Sequence, residues 1–390
     1  MIYIVTTEQF PNGLAATQRI KCYAKGLVEL GQECSVLCLN RCEDPHNPSG
    51  NSSTSGIIDG YTYQYMGAST ALDTGKIKVA IHKTTDILKF IICAVSTFNS
   101  SDKVVLYSYN TILIRLILLL SSIKGFETYY ELNEHPSIQF RGFEMDEDKE
   151  KDLRKLFKLL HGFDGILCIS TALKQLLTKC GIADNKVHIV NMLVDSSRFD
   201  GIEKQGLEHY IGYCGAADNN KDGVDKLIRA FKIIESKYPT TKLYIMGPKR
   251  EDCNNEELAK ELSISEKVVF TGMINSTDLP QMLKNAEVLA LARPQSRQAQ
   301  YGFPTKLGEY LSTSNPVVVT AVGDIPYFLK DGESAYLAEP DDIEEFASKL
   351  DLALSQKELA VQIGEKGREI ALNSFSKEAV IQQLKVAMNL

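Results

Sequence analysis

The chain has 390 residues, of which 44% are hydrophobic and 24% charged, and its formal net charge is −7. This length predicts two domains, because a single core rarely grows beyond about 250–300 residues. The acidic balance argues against a nucleic-acid-binding protein, which normally presents a basic face.

The first residues of the chain and its apolar runs indicate where in the cell the protein is expected. The sequence begins with a strand-like run, Ile2–Thr6, and no basic-then-apolar leader precedes it, so we expect a cytoplasmic protein. No apolar run reaches the roughly 18 residues of a spanning helix. The nearest, Ile112–Ile123, is interrupted by Arg115 and predicts a buried helix, with a membrane-facing patch as the alternative. Contact with the inner face of the cytoplasmic membrane therefore stays open.

The nine cysteines form no C-x-x-C pair. Cys34 and Cys38 fall within a strand-like run, which predicts buried free thiols and no metal site.

Strand and helix patterns alternate through the first half of the chain. Helical patterns at Leu14–Leu30 and Lys149–Leu160 separate strand-like runs, and this alternation predicts a parallel sheet of βαβ units. The segment Arg41–Gly56 is rich in Pro, Asn, Ser and Gly and predicts a mobile loop. The predicted strands are Ile2–Thr6, Glu33–Leu39, Val104–Tyr107, Glu127–Glu131, Gly165–Ile169 and Val187–Val190.

The same pattern restarts at Tyr210–Cys214. A helix with apolar side chains at helical spacing (residues 224–234) follows this strand. Further strands are predicted at Lys242–Met246, Lys267–Phe270, Val288–Leu291 and Pro316–Thr320.

The restart divides the chain into two domains. We expect an N-terminal domain at 1–195 and a C-terminal domain at 204–375, joined through the weakly patterned stretch 195–208. A helix at 376–390 can pack back on the first domain. In two doubly wound domains joined in this way, the carboxyl ends of both sheets face an inter-domain cleft.

The segment Gly302–Leu311 carries the strongest chemical signal. It follows a strand and a polar loop, and Pro304 suits the first turn of a helix. The free N–H groups of that turn, at Thr305, favour an anion such as phosphate. Lys306 and Glu309 share a helix face, so one can meet a phosphate while the other accepts hydrogen bonds from a ribose diol. The alternative is a surface helix with an ordinary Lys–Glu pair.

A second polar loop, Gly215–Gly223, connects the first strand of the second domain to its first helix. Lys221 in this loop can reach a ligand above the edge of the sheet. Lys221 and Lys306 can therefore converge on one diphosphate.

Two segments of the first domain are candidates for the same cleft. Gly13 follows the first strand, where it either lets the backbone approach a ligand or forms a tight turn. The segment Tyr130–Pro136 ends another strand with Glu131, Glu134 and His135, and side chains at such strand ends face the cleft. The dinucleotide fingerprint G-x-G-x-x-G, a Walker loop, H-E-x-x-H and an acidic metal cluster are all absent from the sequence.

Taken together, these motifs resemble the retaining glycosyltransferases of family 4, over nearly the whole chain. The segments that carry the resemblance, in addition to Gly302–Leu311, are Asp164–Ser170, Lys186–Asn191, Gly215–Gly223, Val269–Met273, Gly323–Pro326 and Asp331–Gly332.

The resemblance implies an α/β protein of the GT-B fold, with two Rossmann-like domains of doubly wound parallel sheets that face a cleft. The first domain would bind the acceptor and the second a nucleoside-diphosphate sugar. In the second domain it implies a diphosphate site at Gly215, Lys221, Thr305 and Lys306, the base beside Gly272 and Met273, and the ribose at Glu309.

On the acceptor side, the expected site residues are Gly13, Glu134 and His135, the last two in catalytic roles. The implied reaction is a front-face transfer with retention, in which the leaving phosphate helps to deprotonate the acceptor. It needs no metal and no cofactor besides the donor. Family frequency favours UDP over GDP, and the acceptor would be a glycan or a lipid-linked intermediate.

Two positions depart from the family pattern. Ala216 stands where the family commonly has Arg, and Tyr301 stands where it commonly has a glutamate that contacts the donor sugar. The identity of the sugar therefore stays open, as does an inactive pseudo-enzyme.

Three rival functions are weighed against the transferase. A non-hydrolysing sugar-nucleotide epimerase shares the fold, and a two-lobed solute-binding protein would normally carry an export signal. A nicotinamide-dependent dehydrogenase would need the missing glycine fingerprint.

Overall fold

Two parallel sheets covered by helices make up the protein, in a computed structural model that describes residues 1–44, 46, 48–139, 147–206 and 208–390. The chain divides into two units. The first unit consists of residues 1–191 and 380–390, and the second of residues 192–379. The stretch 195–208 lies in the second unit, where Ser196–Phe199 form a 3-10 turn.

The first unit contains eight strands in one sheet. The strands are β1 Ile2–Thr6, β2 Cys34–Cys38, β3 Ser55–Ile58, β4 Tyr61–Tyr65, β5 Lys103–Tyr107, β6 Glu127–Leu132, β7 Gly165–Cys168 and β8 Val187–Ile189. Its helices are α1 Ala15–Glu29, α2 Lys76–Thr97, α3 Thr111–Lys124, α4 Glu147–Leu160 and α5 Thr171–Lys179.

The strand order of this sheet is β3-β4-β2-β1-β5-β6-β7-β8, and every pair is parallel except β3 with β4. All residues of β1 and β2 are buried, as expected for central strands covered by helices on both faces. The predicted parallel sheet is confirmed, but β3 and β4 were not predicted. In β4, Tyr61, Tyr63 and Tyr65 are buried and alternate with exposed residues, which is the ordinary signature of a strand with one covered face.

The segment Arg41–Gly56, predicted as a mobile loop, is held by a buried carboxylate. Glu43 accepts hydrogen bonds from Ser49 Oγ (2.7 Å) and from the backbone N–H groups of Gly50 (3.2 Å) and Asn51 (2.7 Å). Asn51 is fully buried, and the last residues of the segment belong to β3. Pro45 and Asn47 lie outside the described residues. The described backbone before β3 is irregular apart from bridge residues such as Glu43, as expected for a loop, and the mobility of the segment stays a prediction.

A buried ion pair joins α1 to β6. Arg19 Nε donates to Glu131 Oε1 over 2.7 Å, and the same guanidinium donates to the Val190 and Asn191 carbonyls. Tyr23 also donates to Glu131, through its hydroxyl. Glu131, predicted to line the cleft, is therefore enclosed within the first unit, where its partners satisfy its charge.

The helix predicted to be buried at Ile112–Ile123 is only half buried. Four of the α3 side chains are buried (Leu113, Ile114, Ile117 and Leu120), but Ile112, Leu119 and Ile123 are more than half exposed. Among the described residues, no helix is long and apolar enough to cross a bilayer.

The second unit contains six strands. They are β9 Tyr210–Cys214, β10 Lys242–Met246, β11 Val268–Gly272, β12 Val288–Leu291, β13 Val317–Thr320 and β14 Tyr336–Ala338. The helices that follow in chain order are α6 Asn219–Asp222, α7 Val224–Ile234, α8 Asn255–Glu261, α9 Leu279–Asn285, α10 Arg297–Tyr301, α11 Thr305–Ser312, α12 Ile325–Phe328, α13 Ile343–Ser355 and α14 Lys357–Phe375.

The second sheet is entirely parallel, with the order β11-β10-β9-β12-β13-β14. Three of the predicted strands, β9, β10 and β12, have the predicted bounds, whereas β14 was not predicted. The chain winds outward from β9 in one direction and from β12 in the other. A doubly wound sheet binds its ligand at such a point, outside the carboxyl ends of the two strands.

The last helix, α15 Lys377–Ala387, returns to the first unit. Gly26 in α1 leaves room for Ile381, since a Cβ at position 26 would lie only 2.2 Å from the Ile381 side chain. Gln383 Oε1 accepts a hydrogen bond from the Asn191 backbone N–H over 2.8 Å.

Candidate functional site

The loop after β9 and the helix after β12 meet at the switch point of the second sheet. Gly215, the first residue beyond β9, has a φ of +149°, and a Cβ there would lie 2.3 Å from Lys306 Nζ. The positive φ favours glycine at this position, and the backbone of Gly215 lies directly beside the lysine. Gly215 and Lys306, predicted separately from sequence, are neighbours.

Tyr310 fixes α11 against β9. Its hydroxyl is fully buried, accepts a hydrogen bond from the Cys214 backbone N–H (2.6 Å) and lies 3.2 Å from the Cys214 carbonyl. On the opposite side of the same turn, Gly308 packs closely against Met192 and Val194, because a Cβ at position 308 would lie 2.4 Å from the Met192 side chain. These contacts set the position of the helix face that carries Lys306 and Glu309.

Lys306 is held by Asp222 and Tyr213. Its ammonium group donates to Asp222 Oδ2 and to the Tyr213 hydroxyl (3.2 Å), and it lies 4.9 Å from the centre of the Tyr213 ring. Tyr213 in turn donates to Asp222 Oδ2 over 2.9 Å. Burial lowers the pKa of Lys306, and the Asp222 carboxylate opposes that shift.

Asp222 is the site residue that sequence reasoning missed. It is 3% exposed, and its second oxygen lies 3.9 Å from Arg293 Nε. Within the described part of the chain, that oxygen accepts no hydrogen bond. The sequence places Asp222 next to Lys221 in a polar loop, where a solvated carboxylate is the ordinary expectation. Only the burial of Asp222 in the folded structure shows that it is the ion-pair partner of Lys306.

Lys221 lies at the end of a short helix, α6. Asp218 caps this helix by accepting from the backbone N–H groups of Asn220 and Lys221, both at 2.9 Å. The Lys221 side chain is exposed. Its positive charge also lowers the pKa of Lys306, so the two ammonium groups act on the same region. Lys221 is thus the chain neighbour of Asp222, the carboxylate that binds Lys306.

Glu309 forms an ion pair with Arg198. The Arg198 guanidinium donates to Glu309 Oε1 over 2.7 Å and to the Ser276 carbonyl over 3.2 Å. In the described residues, Glu309 Oε2 has no hydrogen-bond partner. Burial raises the pKa of Glu309, which Arg198 and Lys306 oppose. A carboxylate with one oxygen engaged can still accept hydrogen bonds on the other.

The remaining predicted residues of the second unit are open to solvent. Gly272 ends β11 with a φ of +69°, and Met273 beyond it is 77% exposed. Thr305 is exposed in the first turn of α11. The backbone at Gly272 accepts from the Gly247 N–H over 3.0 Å, which joins the loops beyond β10 and β11.

The predicted residues of the first unit lie at the carboxyl edge of its sheet. Gly13 precedes α1, and a Cβ there would lie 2.2 Å from Thr17 Oγ1, so packing alone requires the glycine. Glu134 and His135 follow β6. Glu134 is half-buried, and His135 is buried with its Nδ1 2.7 Å from Ser137 Oγ.

The cysteine and carboxylate side chains that the structure describes do not form a candidate metal site. The nine cysteines are free thiols, and five of them are buried. In the described ranges, no three His, Cys, Asp or Glu side chains are grouped so that they could hold a metal ion.

Comparison with known proteins assigns the second unit to a family. Residues 198–370 match the family model described as Glycosyl transferases group 1. The MMP alpha-(1->4)-mannosyltransferase of Mycolicibacterium hassiacum is 27% identical over 225 residues, which are 56% of this chain and 52% of that protein. The capsular polysaccharide biosynthesis glycosyltransferase CapM of Staphylococcus aureus is 25% identical over 240 residues, which are 57% of this chain and 61% of that protein. The chain thus spans about half the length of the curated relatives it matches.

Solved structures match over the whole chain. HepE of Anabaena, in complex with UDP, has a TM-score of 0.72 at 14% identity, covering 100% of this chain and 99% of that one. The sucrose-phosphate synthase of Thermosynechococcus elongatus has a TM-score of 0.75 at 14% identity, with coverage of 100% and 98%. The expected GT-B fold is confirmed.

The contact between Asp222 and Lys306 predicts a pH effect. Asp222 raises the pKa of Lys306, so Asp222→Asn lowers it, and the ammonium form is lost at a lower pH. If that ammonium binds a diphosphate, the affinity of the variant for UDP falls about tenfold per pH unit above the new pKa. Calorimetric titration at pH 7, 8 and 9 measures the difference from wild type.

The matched control is Asp351→Asn, which removes a carboxylate from the surface pair with Lys237. We expect its UDP affinity to follow the wild-type pH dependence. The same pH dependence in Asp222→Asn and in wild type would contradict the role of Asp222.

Proposed function

Because residues 198–370 form a glycosyl transferases group 1 domain, we propose that this protein is a retaining glycosyltransferase. It moves a sugar from a nucleoside-diphosphate sugar, most favourably a UDP-sugar, to a glycan or lipid-linked acceptor in the synthesis of a cell-surface polysaccharide. The reaction takes place in the cytoplasm, at the inner face of the membrane.

One observation carries the proposal: Lys306 and Glu309 lie on one face of α11, beside the bare backbone of Gly215. A nucleoside diphosphate offers two groups that suit this face. The diphosphate needs cations and N–H donors, and the ribose diol needs an acceptor. Glu309 Oε2 is the acceptor that we assign to the ribose.

The leaving group is the second element of the proposal. Cleavage of the bond between sugar and phosphate builds negative charge on the departing diphosphate, and groups already in place for that charge lower the barrier. We assign this role to Lys221, Lys306 and the N–H groups at Thr305. Their positive charge takes the place of a metal ion, and the donor is the only other small molecule needed.

Binding of the diphosphate then requires an exchange of partners. In the free protein the Lys306 ammonium is bound to Asp222. A phosphate oxygen near Gly215 would share or replace that carboxylate as the partner of the lysine. The cost of separating a buried pair is offset only if the incoming group is also an anion. The site is thereby selective for anionic ligands.

The identity of the nucleotide rests on likeness to solved structures. HepE was solved with UDP-glucose as well as with UDP, and TarM of S. aureus was solved with UDP. These complexes support UDP as the donor nucleotide here, with the base beside Gly272 and Met273. The relatives are named for different sugars, and Ala216 and Tyr301 depart from the usual donor contacts, so the proposal names no sugar.

The acceptor is assigned to the first unit. Gly13, Glu134 and His135 lie at the carboxyl edge of its sheet, where such sheets bind ligands. Among the relatives, CapM is named for capsular polysaccharide and LpsE of Rhizobium meliloti for lipopolysaccharide core synthesis. These names support a glycan or lipid-linked acceptor. Glu134 and His135 are proposed to orient its hydroxyl, while the leaving phosphate helps to remove the proton.

The ribose contact is tested by Glu309→Gln. An amide in place of the carboxylate weakens hydrogen bonds from the diol, so UDP binding should weaken by about 1–3 kcal/mol, the scale of a charged hydrogen bond. Isothermal titration calorimetry with UDP measures the change. Glu333→Gln, at an exposed position of the same unit, is the control and should bind like wild type. Equal affinity in both variants would exclude Glu309 from the nucleotide site.

The role of the lysines is tested by Lys221→Ala and Lys306→Ala. Each substitution removes a cation from the leaving group and should cost about 2–4 kcal/mol of transition-state stabilisation in kcat/KM. The readout is UDP release from the active donor, identified by a screen of UDP-sugars. Lys226→Ala, on the neighbouring helix α7, should leave the rate unchanged. Wild-type rates in both lysine variants would move the role to another cation such as Arg293.

The assignment of the acceptor is tested by Glu134→Gln and His135→Asn. Both variants should transfer sugar at least about tenfold more slowly while binding UDP as wild type does. Transfer assays and calorimetry on the same preparations separate the two effects. Loss of UDP affinity with unimpaired acceptor binding would show that these residues serve the donor.

A further inference from the structure

The helix α2 is apolar on two opposite sides. Its buried side carries Asp86, Phe90 and Ala94. On the opposite side, five aliphatic side chains recur at intervals of three, four and seven residues and form one stripe along the helix. These side chains are Ile77 (78% exposed), Ile81 (56%), Leu88 (53%), Ile92 (68%) and Val95 (50%). A single exposed aliphatic residue is ordinary, but a stripe along 22 residues is not.

Lysines border this stripe along one flank. At about 100° per residue, Lys78 and Lys89 fall beside the stripe, whereas Lys76 and Lys83 fall towards the side that carries Phe90 and Ala94. All four are exposed, and none has an ion-pair partner among the residues that the structure describes. The lysines are therefore free to meet charges outside the protein.

The neighbouring helix α3 has the same character. Ile112 (65% exposed), Leu119 (57%) and Ile123 (68%) lie on one side of it, and Arg115 is exposed beside them. The two helices meet near their carboxyl ends, where Lys124 Nζ donates to the Val95 carbonyl over 2.7 Å. The aliphatic surface of α2 is thus accompanied by a second one on α3.

The charge of this pair of helices is opposite to that of the whole protein. Together α2 and α3 contain six Lys and Arg residues and one acidic residue, Asp86. Asp86 is buried and faces Arg41 at 3.3 Å. The chain as a whole has a formal net charge of −7. The exposed surface of the pair is therefore both apolar and purely basic.

From these observations we propose that the α2–α3 face, defined by the eight exposed aliphatic side chains and the basic residues beside them, docks on an anionic lipid surface. The helices lie in the plane of the interface, with the aliphatic stripes among the acyl chains and the lysines at the headgroups. An aliphatic stripe bordered by lysines is the pattern of helices that bind such an interface. The docking stands on this geometry alone, whereas its use in reaching a lipid-linked acceptor rests on the proposed function.

Two features favour a lipid surface over a protein partner. Protein interfaces are enriched in aromatic residues and Arg at their core and depleted of Lys, whereas the stripe here is aliphatic and its border is mostly Lys. The stripe also runs along a helix about 33 Å long. A fluid interface can cover such a convex surface without a complementary groove.

The test is co-sedimentation of the full chain with vesicles. The probes are neutral phosphatidylcholine vesicles and phosphatidylcholine vesicles that contain about 30 mol% of the anionic lipid phosphatidylglycerol. We expect binding to the anionic vesicles only, and weaker binding at high salt. Ile81→Glu/Ile92→Glu should abolish it, and Lys78→Gln/Lys89→Gln should weaken it by roughly fivefold per lysine. The control Ile57→Glu/Val361→Glu places the same charges at exposed aliphatic positions elsewhere and should bind like wild type.

The outcomes separate this proposal from the proposed function. Failure of the wild type to bind anionic vesicles, or binding that Ile81→Glu/Ile92→Glu leaves intact, would overturn the docking. A dimer in sedimentation velocity that this variant dissociates would also overturn it, because a second copy would then cover the face. UDP affinity, measured on the same variants, should not change. If wild type bound vesicles but no nucleotide, the docking would stand and the proposed transferase would fall.

Discussion

The candidate site depends on a lysine whose side chain is 16% exposed and lies beside the bare backbone of Gly215. An ammonium group removed from water is costly unless a carboxylate accompanies it, and Asp222 supplies that carboxylate. Gly215 suits this place, because its φ of +149° disfavours residues with a side chain and its backbone lies beside Lys306 Nζ. Tyr310, bound to the backbone of Cys214, then fixes the helix on which the lysine stands. The ion pair of Lys306 with Asp222 is therefore the interaction around which Gly215 and Tyr310 are arranged.

Local patterns in the sequence were sufficient for the sheets and for most of the site loops. Buried parallel strands such as β9 and β12 are short apolar runs between helices, and a helix that starts after Pro304 is a local signal. The alternation of strands and helices placed Lys221 after β9, and Lys306 and Glu309 after β12. Their proximity could be predicted because the carboxyl ends of parallel strands meet at one edge.

What the sequence could not supply depends on contacts between distant residues. Asp222 and Glu131 are ordinary polar residues in their local context, and only the tertiary structure shows that Lys306 and Arg19 neutralise them in the interior. Likewise, the apolar run at Ile112–Ile123 predicts a buried helix. A continuous apolar run shows how apolar a helix is, but it does not show which sides of the helix are covered. The hydrogen bonds that Glu43 accepts within the loop at Arg41–Gly56 are likewise not visible in the local sequence.

The two units differ in where their exposed aliphatic residues and buried charges lie. In the second unit, the unusual features are buried charges around one lysine, which suit a small anionic ligand. In the first unit, they are the aliphatic stripes of α2 and α3 and the lysines of α2, which have no ion-pair partner in the part of the chain that the structure describes. A helix that keeps Ile77, Ile81 and Ile92 in water gives up hydrophobic burial of roughly 1.5–3 kcal/mol for each side chain. Exposure on that scale is sustained most simply if those side chains leave water when the protein works. A transferase whose acceptor is anchored in lipid would use such a surface.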